Sequence, residues 1–351
     1  MSHQDRGLRV LVAEDSPVAR RLLVHILAGD PELRVVGEVA DGRQAVRETA
    51  RLRPDVIVMD VLMPEMNGIE ATRQIMEATP TPIVLVSASY DPDDVTQSFE
   101  ALQAGALTLL PKPRAPQASG FADDCASLTV TVKLMADVKL VRRHPARAAR
   151  PARVGPGRPR RERDVRIVAI ASSTGGPAAL ARILGALPGC VPVPILVVQH
   201  IAAGFHHGLA DWLASVSALP VRLATDGQPL LPGEVLVAPD DRHLGVTGHG
   251  RVALSREPSI GGHRPSATYL FRSVAERYGP GAVGVILTGM GADGVAGLQT
   301  LKASHGTVFA QDEATSVVYG MPREAVAMGL ADRILPVGAI AGALVETWNG
   351  A

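Results

Sequence analysis

The chain is predicted to fold as two α/β units in series, each a parallel or mostly parallel sheet wrapped by helices, joined by a basic tether. Three observations predict this. Short, nearly uncharged apolar runs recur along both halves, and several are followed by stretches with helical spacing of apolar residues. Residues 144–163 interrupt the pattern, being rich in Pro, Arg, Ala and Gly and almost empty of large apolar side chains. The residues able to do chemistry fall where strand runs stop, which in open α/β sheets is the edge that binds ligands. The expected units are therefore 1–143 and 164–351.

In the first unit, Leu8–Ala13 reads as a strand that delivers Glu14 and Asp15, with a helix following from Ser16. Val35–Val39 is a second strand, Gly42–Arg51 a helix, and Asp55–Met59 a third strand that delivers Asp60. Met63, Pro64 and Asn67-Gly68 form the loop and turn after it. Ile83–Val86 ends at Ser87, and Ala106–Leu110 ends in Pro111, Lys112 and Pro113. Phe121–Arg143 is expected to be the last helix of this unit. Five strands alternating with helices imply a doubly wound parallel sheet.

Four of the five strand ends thus bring Glu14, Asp15, Asp60, Ser87 and Lys112 to one rim. Taken singly, each acid has an ordinary reading as a helix cap or a solvated loop residue. Three clustered carboxylates repel one another unless a hard cation such as Mg²⁺ joins them. With that ion, Asp60 has the makings of a phosphoryl acceptor, and Ser87 and Lys112 are placed to bond the new phosphoryl oxygens. The runs EDS at 14–16, MDVLMPEMNG at 59–68, SA at 87–88 and PKP at 111–113 resemble a response-regulator receiver domain, flavodoxin-like in fold. That resemblance implies phosphate transfer from a histidine kinase to Asp60. Many receivers carry Tyr or Phe three residues before the lysine, and here Leu109 stands in that place.

The tether belongs to a stretch with ten arginines between Arg142 and Arg166, although the whole chain balances 35 Lys and Arg against 35 Asp and Glu. It has no aromatic residue for stacking on bases and no DNA-binding motif, so a solvated linker is expected rather than a nucleic-acid interface. No apolar run reaches the eighteen or so residues of a membrane span, and the start MSHQDRG lacks the apolar core of a secretion signal. No membrane insertion and a cytoplasmic location are the corresponding expectations. Cys125 and Cys190 lie far apart in segments that read as half-buried, so both are expected to be free thiols.

The second unit is organised around IVAIASSTGGP, residues 167–177. Ile167–Ala171 reads as a strand covered on both faces, and Ser172, Ser173 and Thr174 sit where it stops. Gly175 and Gly176 permit a close turn, and Pro177 suits the first turn of the helix implied by Ala178–Leu187. A hydroxyl is thus presented beside a helix N-terminus, a seat for a nucleophile, a helix cap or a phosphate-holding turn. Pro194–Gln199 is a strand ending at His200, and Ala282–Thr288 a strand followed by GMGADG, which carries Asp293. Three strand ends therefore offer Ser173, His200 and Asp293, the groups of a triad, without the G-x-S-x-G of α/β-hydrolases. Val221–Ala224, Glu234–Ala238, Val252–Leu254 and Thr307–Ala310 read as further strands, and Ile340–Trp348 as the last helix. His243, His249, His263 and His305 read as loop histidines rather than zinc ligands, since no H-E-x-x-H or paired-Cys spacing accompanies them.

SSTGGP, VVQH, APDDRH at 238–243, HRPS at 263–266, LTGMGADG at 287–294 and VVYGMPREA at 317–325 together resemble the CheB chemotaxis methylesterases. The resemblance implies a Rossmann-like catalytic domain that hydrolyses glutamate methyl esters on chemoreceptors, often with deamidation of receptor glutamines. It also implies Ser173, His200 and Asp293 as the triad, with Thr174 and Met290 beside the reacting centre, and no cofactor beyond the receiver's Mg²⁺. Ala171 replaces the family's usual Gly, and Ala267-Thr268 its usual Val-Asp. Neither departure is expected to touch the triad. A nucleic-acid-binding or nucleotide-binding output unit is the alternative.

Overall fold

A computed structural model describes residues 7–87, 92–138 and 165–348. The predicted tether, 144–163, lies outside the described residues.

The first sheet is built from β1 (Leu8–Ala13), β2 (Leu33–Val39), β3 (Val56–Asp60), β4 (Ile83–Ser87) and β5 (Thr108–Pro111), parallel in the order β2-β1-β3-β4-β5. Around it lie α1 (Pro17–Ala28), α2 (Gly42–Leu52), α3 (Gly68–Ala78), α4 (Pro92–Ala104) and α5 (Phe121–Ala136). The strands need no alternation because helices cover both faces, and β3 and β4 are buried at every position. Three helices start on the side chain of Ser16, Asp41 or Asn67, each accepting a first-turn amide. The strand order reverses between β1 and β3, the place where such sheets bind ligands.

Two predicted bounds are corrected. β5 begins at Thr108 rather than Ala106, because Gly105 turns the chain with φ 125° and the Ala106 amide still bonds back to Ala101. α5 ends at Ala136 rather than Arg143, with Asp137 at its C-cap.

The second sheet runs β14-β13-β12-β6-β7-β9-β8, with every pairing parallel. Its strands are β6 (Ile167–Ser172), β7 (Ile195–Gln199), β8 (Val221–Leu223), β9 (Val235–Val237), β12 (Ala282–Ile286), β13 (Thr307–Gln311) and β14 (Arg333–Leu335). An antiparallel hairpin, β10 (His243–Val246) and β11 (Val252–Ser255), stands apart. The helices are α6 (Gly176–Leu184), α7 (His206–Val216), α8 (Ala267–Tyr278), α9 (Val295–Ala303), α10 (Met321–Ala327) and α11 (Val337–Trp348). β6 is central, and its side chains alternate between two cores: Val168 and Ile170 join one, Ile167, Ala169 and Ala171 the other. His243 is fully buried in β10, a strand residue rather than the expected loop histidine. Cys125 and Cys190 are free as expected, but Cys190 is exposed rather than half-buried.

The two units touch. α4 packs on α6 and α7, with the Phe99 and Trp212 rings stacked at 5.4 Å and 19°. Both side chains are almost wholly buried. Met290, Val317 and Val318 of the second unit pack against the apolar cluster of the first that contains Leu128 and Val132.

Gly176 marks the tightest place at the sheet edge, since an added Cβ would meet Gln199 Oε1 at 2.0 Å and Ser172 Cβ at 2.7 Å. Gly176→Ala is expected to destabilise the protein by about 1–3 kcal/mol. Gly342→Ala, in open space on α11, should be neutral or stabilising by about 0.4–1 kcal/mol. Chemical denaturation of the two variants checks the contrast.

Candidate active site and candidate phosphoacceptor site

Ser173 and His200 stand at neighbouring strand ends because β6 and β7 run in register up to the pair Ser172 and Gln199. The Gln199 side chain fixes that junction: it accepts from Ser172 Oγ at 2.6 Å and donates to the carbonyls of Ser173 and His200, each at 2.8 Å. The other flank is set by β12, since the Ser173 amide donates to Thr288 O at 3.0 Å and Thr288 Oγ1 donates to Thr174 O at 2.9 Å. α6 is capped by Gly175, in the left-handed region at φ 77°, with no side-chain capping bond. Neither Ser173 nor Thr174 caps this helix, so the expectation of a plain capping role is set aside.

Asp293 follows β12 in a loop turned by Gly291 and Gly294, at φ 80° and 95°. Its carboxylate is nearly buried and accepts from Ser266 Oγ at 2.9 Å and from the amides of Ala267 at 2.7 Å, Thr268 at 3.0 Å and Gly294 at 2.9 Å. Ser266 is the N-cap of α8, so the charge lies at the positive end of that helix. His200 Nε2 lies 2.9 Å from Asp293 Oδ2, off the axis of a well-aligned hydrogen bond, while Nδ1 is buried with no partner among the described residues. Burial pushes the Asp293 carboxyl up, but His200 and the α8 donors outweigh it and hold the group well below its ordinary 3.8. Ala267 and Thr268 therefore do touch Asp293, contrary to the expectation that those departures stay clear of it. They do so through backbone amides, and Thr268 Oγ1 also accepts from the Gly294 amide at 2.8 Å. Any residue but proline supplies such an amide, so the two amide bonds themselves do not depend on which residues stand there.

Two contacts were not expected from the sequence. The His263 ring lies parallel to that of His200, at 4.1 Å and 3°. The Met290 side chain packs toward the first unit rather than only bordering the strand end. Leu102, Leu107, Thr108 and Leu109 of the first unit line one cleft together with Ser173, Thr174, Gln199 and His200. The first unit thus faces the serine directly.

At the other rim, Glu14, Asp15 and Asp60 can each offer an oxygen within 4.8 Å of the others. Glu14 is fully buried and Asp60 almost so. Lys112 Nζ lies 2.9 Å from Glu14 and 2.8 Å from Asp60, and its amide bonds to the carbonyl of buried Ser87. Burial first, and then the charge of Asp60, push the Glu14 carboxyl up to about 7. Burial likewise raises Asp60 despite the opposing ammonium. Burial alone would lower Lys112, but the two carboxylates hold it above its ordinary value. Carboxylate oxygens whose mutual repulsion Lys112 relieves only in part suit a hard divalent cation, and the donors fit Mg²⁺.

Comparison with known proteins assigns both units. Residues 168–344 match the CheB methylesterase family and residues 10–118 the response regulator receiver domain. A protein-glutamate methylesterase/protein-glutamine glutaminase of Myxococcus xanthus is 53% identical over 98% of this chain and 98% of its own length. One of Anaeromyxobacter dehalogenans is 56% identical over 96% and 98%. The chain belongs to the CheB methylesterase family. The crystal structure of the Thermotoga maritima CheB methylesterase catalytic domain covers 52% of this chain and 98% of its own, at 43% identity and TM-score 0.51. This CheB-family enzyme therefore joins a receiver with a parallel five-stranded sheet to a methylesterase domain. No helix among the described residues is long and apolar enough to cross a membrane.

The receiver acids carry a pH signature. Between Glu14's ordinary 4.5 and about 7, the folded chain holds more proton at this site than the unfolded chain does, so stability falls as pH rises through that window. Without divalent cations, Glu14→Gln should flatten this fall and raise the melting temperature at neutral pH. Added Mg²⁺ should stabilise the natural protein more than the variant, and thermal melts across pH with and without Mg²⁺ check both.

Proposed function

We propose that this protein is a phosphorylation-controlled hydrolase that removes methyl groups from glutamate methyl esters, and deamidates glutamines, on the cytoplasmic parts of chemoreceptors. The observation that supports it best is the junction of β6, β7 and the loop after β12. There Ser173 and His200 line one cleft beside receiver residues, and His200 lies 2.9 Å from the helix-held Asp293 carboxylate. The names of the relatives give the substrate class.

In this reading His200 takes the proton of Ser173 as its oxygen attacks the ester carbonyl, forming an O–C bond and a tetrahedral oxyanion. Asp293, kept ionised by α8, steadies the imidazolium. Backbone N–H groups near Thr174 and Met290 hold the oxyanion, and the adjacent α6 N-terminus favours its charge. The carbon–oxygen bond to methanol breaks as His200 returns the proton to the leaving oxygen. Water, activated by the same imidazole, then cleaves the acyl-serine. A primary amide follows the same course with ammonia as leaving group.

The receiver regulates by position. Leu102, Leu107 and Leu109 cover the cleft that holds Ser173, and the Phe99–Trp212 stack fastens α4 to α7. A chemotaxis histidine kinase supplies phosphate to Asp60, with Ser87 and Lys112 bonding its oxygens. Glu14, Asp15 and Asp60 would hold Mg²⁺, which supplies charge neutralisation for the incoming phosphoryl group. Because Lys112 bridges Glu14 and Asp60 while the adjoining β5 segment lines the cleft, a new charge at Asp60 shifts the strand that covers the serine. The protein acts in the cytoplasm, where the receptors' methylated helices and the kinase are found.

Ser173→Ala should abolish methanol release from methylated receptor membranes, and Asp293→Asn should lower kcat by about 10⁴-fold. Retention of full activity by Ser173→Ala would sink the assignment. Phe99→Ala, in the unphosphorylated protein, should raise basal methanol release and shrink the further gain from a small phosphodonor. A basal rate unchanged from the natural protein would argue against occlusion.

A further inference from the structure

Resting on the esterase reading, we propose that His263 is a positioning residue whose ring face holds the His200 imidazole in the plane that gives Nε2 to Asp293 and Nδ1 to Ser173. An imidazole swings about two side-chain bonds, and a single off-axis contact at Nε2 leaves that rotation poorly restrained. His200 has this one charged contact, and its Nδ1 has no partner among the described residues. A parallel ring at 4.1 Å and 3° removes the freedom that remains, because any large rotation of one ring drives it into the other.

The support behind His263 is built rather than incidental. Ile260 and His263 exchange backbone hydrogen bonds of 3.1 and 3.0 Å around Gly261 and Gly262, both in the left-handed region at φ 59° and 86°. A two-residue turn of that hand needs glycine for its backbone angles, since nothing crowds either position. On the other side, Arg264 donates to Asp241 Oδ1 at 2.8 Å and to Glu257 O at 3.1 Å. Two residues on, Ser266 caps α8 and bonds Asp293. One segment, 260–268, thus grips the carboxylate with its amides and lays a ring on the imidazole that the carboxylate orients.

The chemistry asks for an uncharged ring there. Burial, and then the charge of His200, hold His263 below its ordinary 6.5, with Asp293 pulling the other way. The nearby Arg264 guanidinium is turned to Asp241. A neutral π face attracts the imidazolium that forms on His200 during attack, whereas a second cation would oppose it. Phenylalanine should therefore replace His263, and a side chain without a face should not.

The test uses the full-length protein with a small phosphodonor and methylated receptor membranes. His263→Ala should lower kcat about ten-fold or more while KM stays within about two-fold. His263→Phe should recover most of the loss, and labelling of Ser173 by a fluorophosphonate probe should slow and recover in parallel. If His263→Ala fails to fold in a thermal melt, His263→Leu, which fills the space without a π face, takes its place with the same expectation. A kcat unchanged in these variants, with Ser173→Ala inactive in the same assay, overturns the inference but not the esterase reading. So does a Phe variant as slow as Ala with a raised KM, because the ring nitrogens would then be holding substrate. Activity retained by Ser173→Ala overturns both.

Discussion

A carboxylate taken out of water must find its donors within the protein or give up its charge. Asp293 meets that demand with one hydroxyl and three amides, most of them from the first turn of α8, and remains ionised although nearly buried. Much of the catalytic domain is arranged around this. β12 carries the loop to the rim, α8 is aimed so that its N-terminus meets the loop, and buried His243 holds the α8 entry by accepting the Ser266 amide at 3.2 Å. In the esterase reading proposed above, this fixed negative charge sets the acid–base task of the His200 imidazole, and Ser173 on the next strand completes it.

Substrate chemistry and control share one edge. β6 and β7 present the serine and histidine upward, and the receiver lies across them through β5, α4 and the apolar contacts of Met290 and Val317. In the occluded state proposed above, the cover that restricts access also shields the reacting groups from water, so closed and active arrangements would differ in how the cleft is roofed. Leu109 occupies the place of the aromatic switch found in many receivers, and here it lines the cleft. The aromatic contact between domains comes from Phe99 on the neighbouring helix.

The strands that carry chemistry were legible because they are buried on both faces, which writes uninterrupted apolar runs such as Ile167–Ala171 and Ile83–Val86. The residues just past the end of such a run must lie on the rim, so Glu14, Asp60, Ser173 and His200 could be placed from order alone. Helix α8 also left signs, an N-cap at Ser266 and the apolar set Leu270, Phe271, Val274 and Ala275, but a reading that tracks strand ends passes over it. β14 is three residues at a sheet edge and is not among the strands expected from the sequence. The His200–His263 stack and the Phe99–Trp212 contact join segments remote in sequence, and no local pattern reports such meetings. The amide cradle of Asp293 is invisible for a further reason: amides have no letter in the sequence.

The cleft shared by receiver leucines and the serine has a thermodynamic consequence. Free-energy coupling between two sites is reciprocal. If phosphate on Asp60 favours the uncovered arrangement, then a receptor helix lying on Ser173 must favour phosphate on Asp60 by the same factor. At equilibrium, an enzyme engaged with its receptor would then populate the phosphorylated form more than one free in solution.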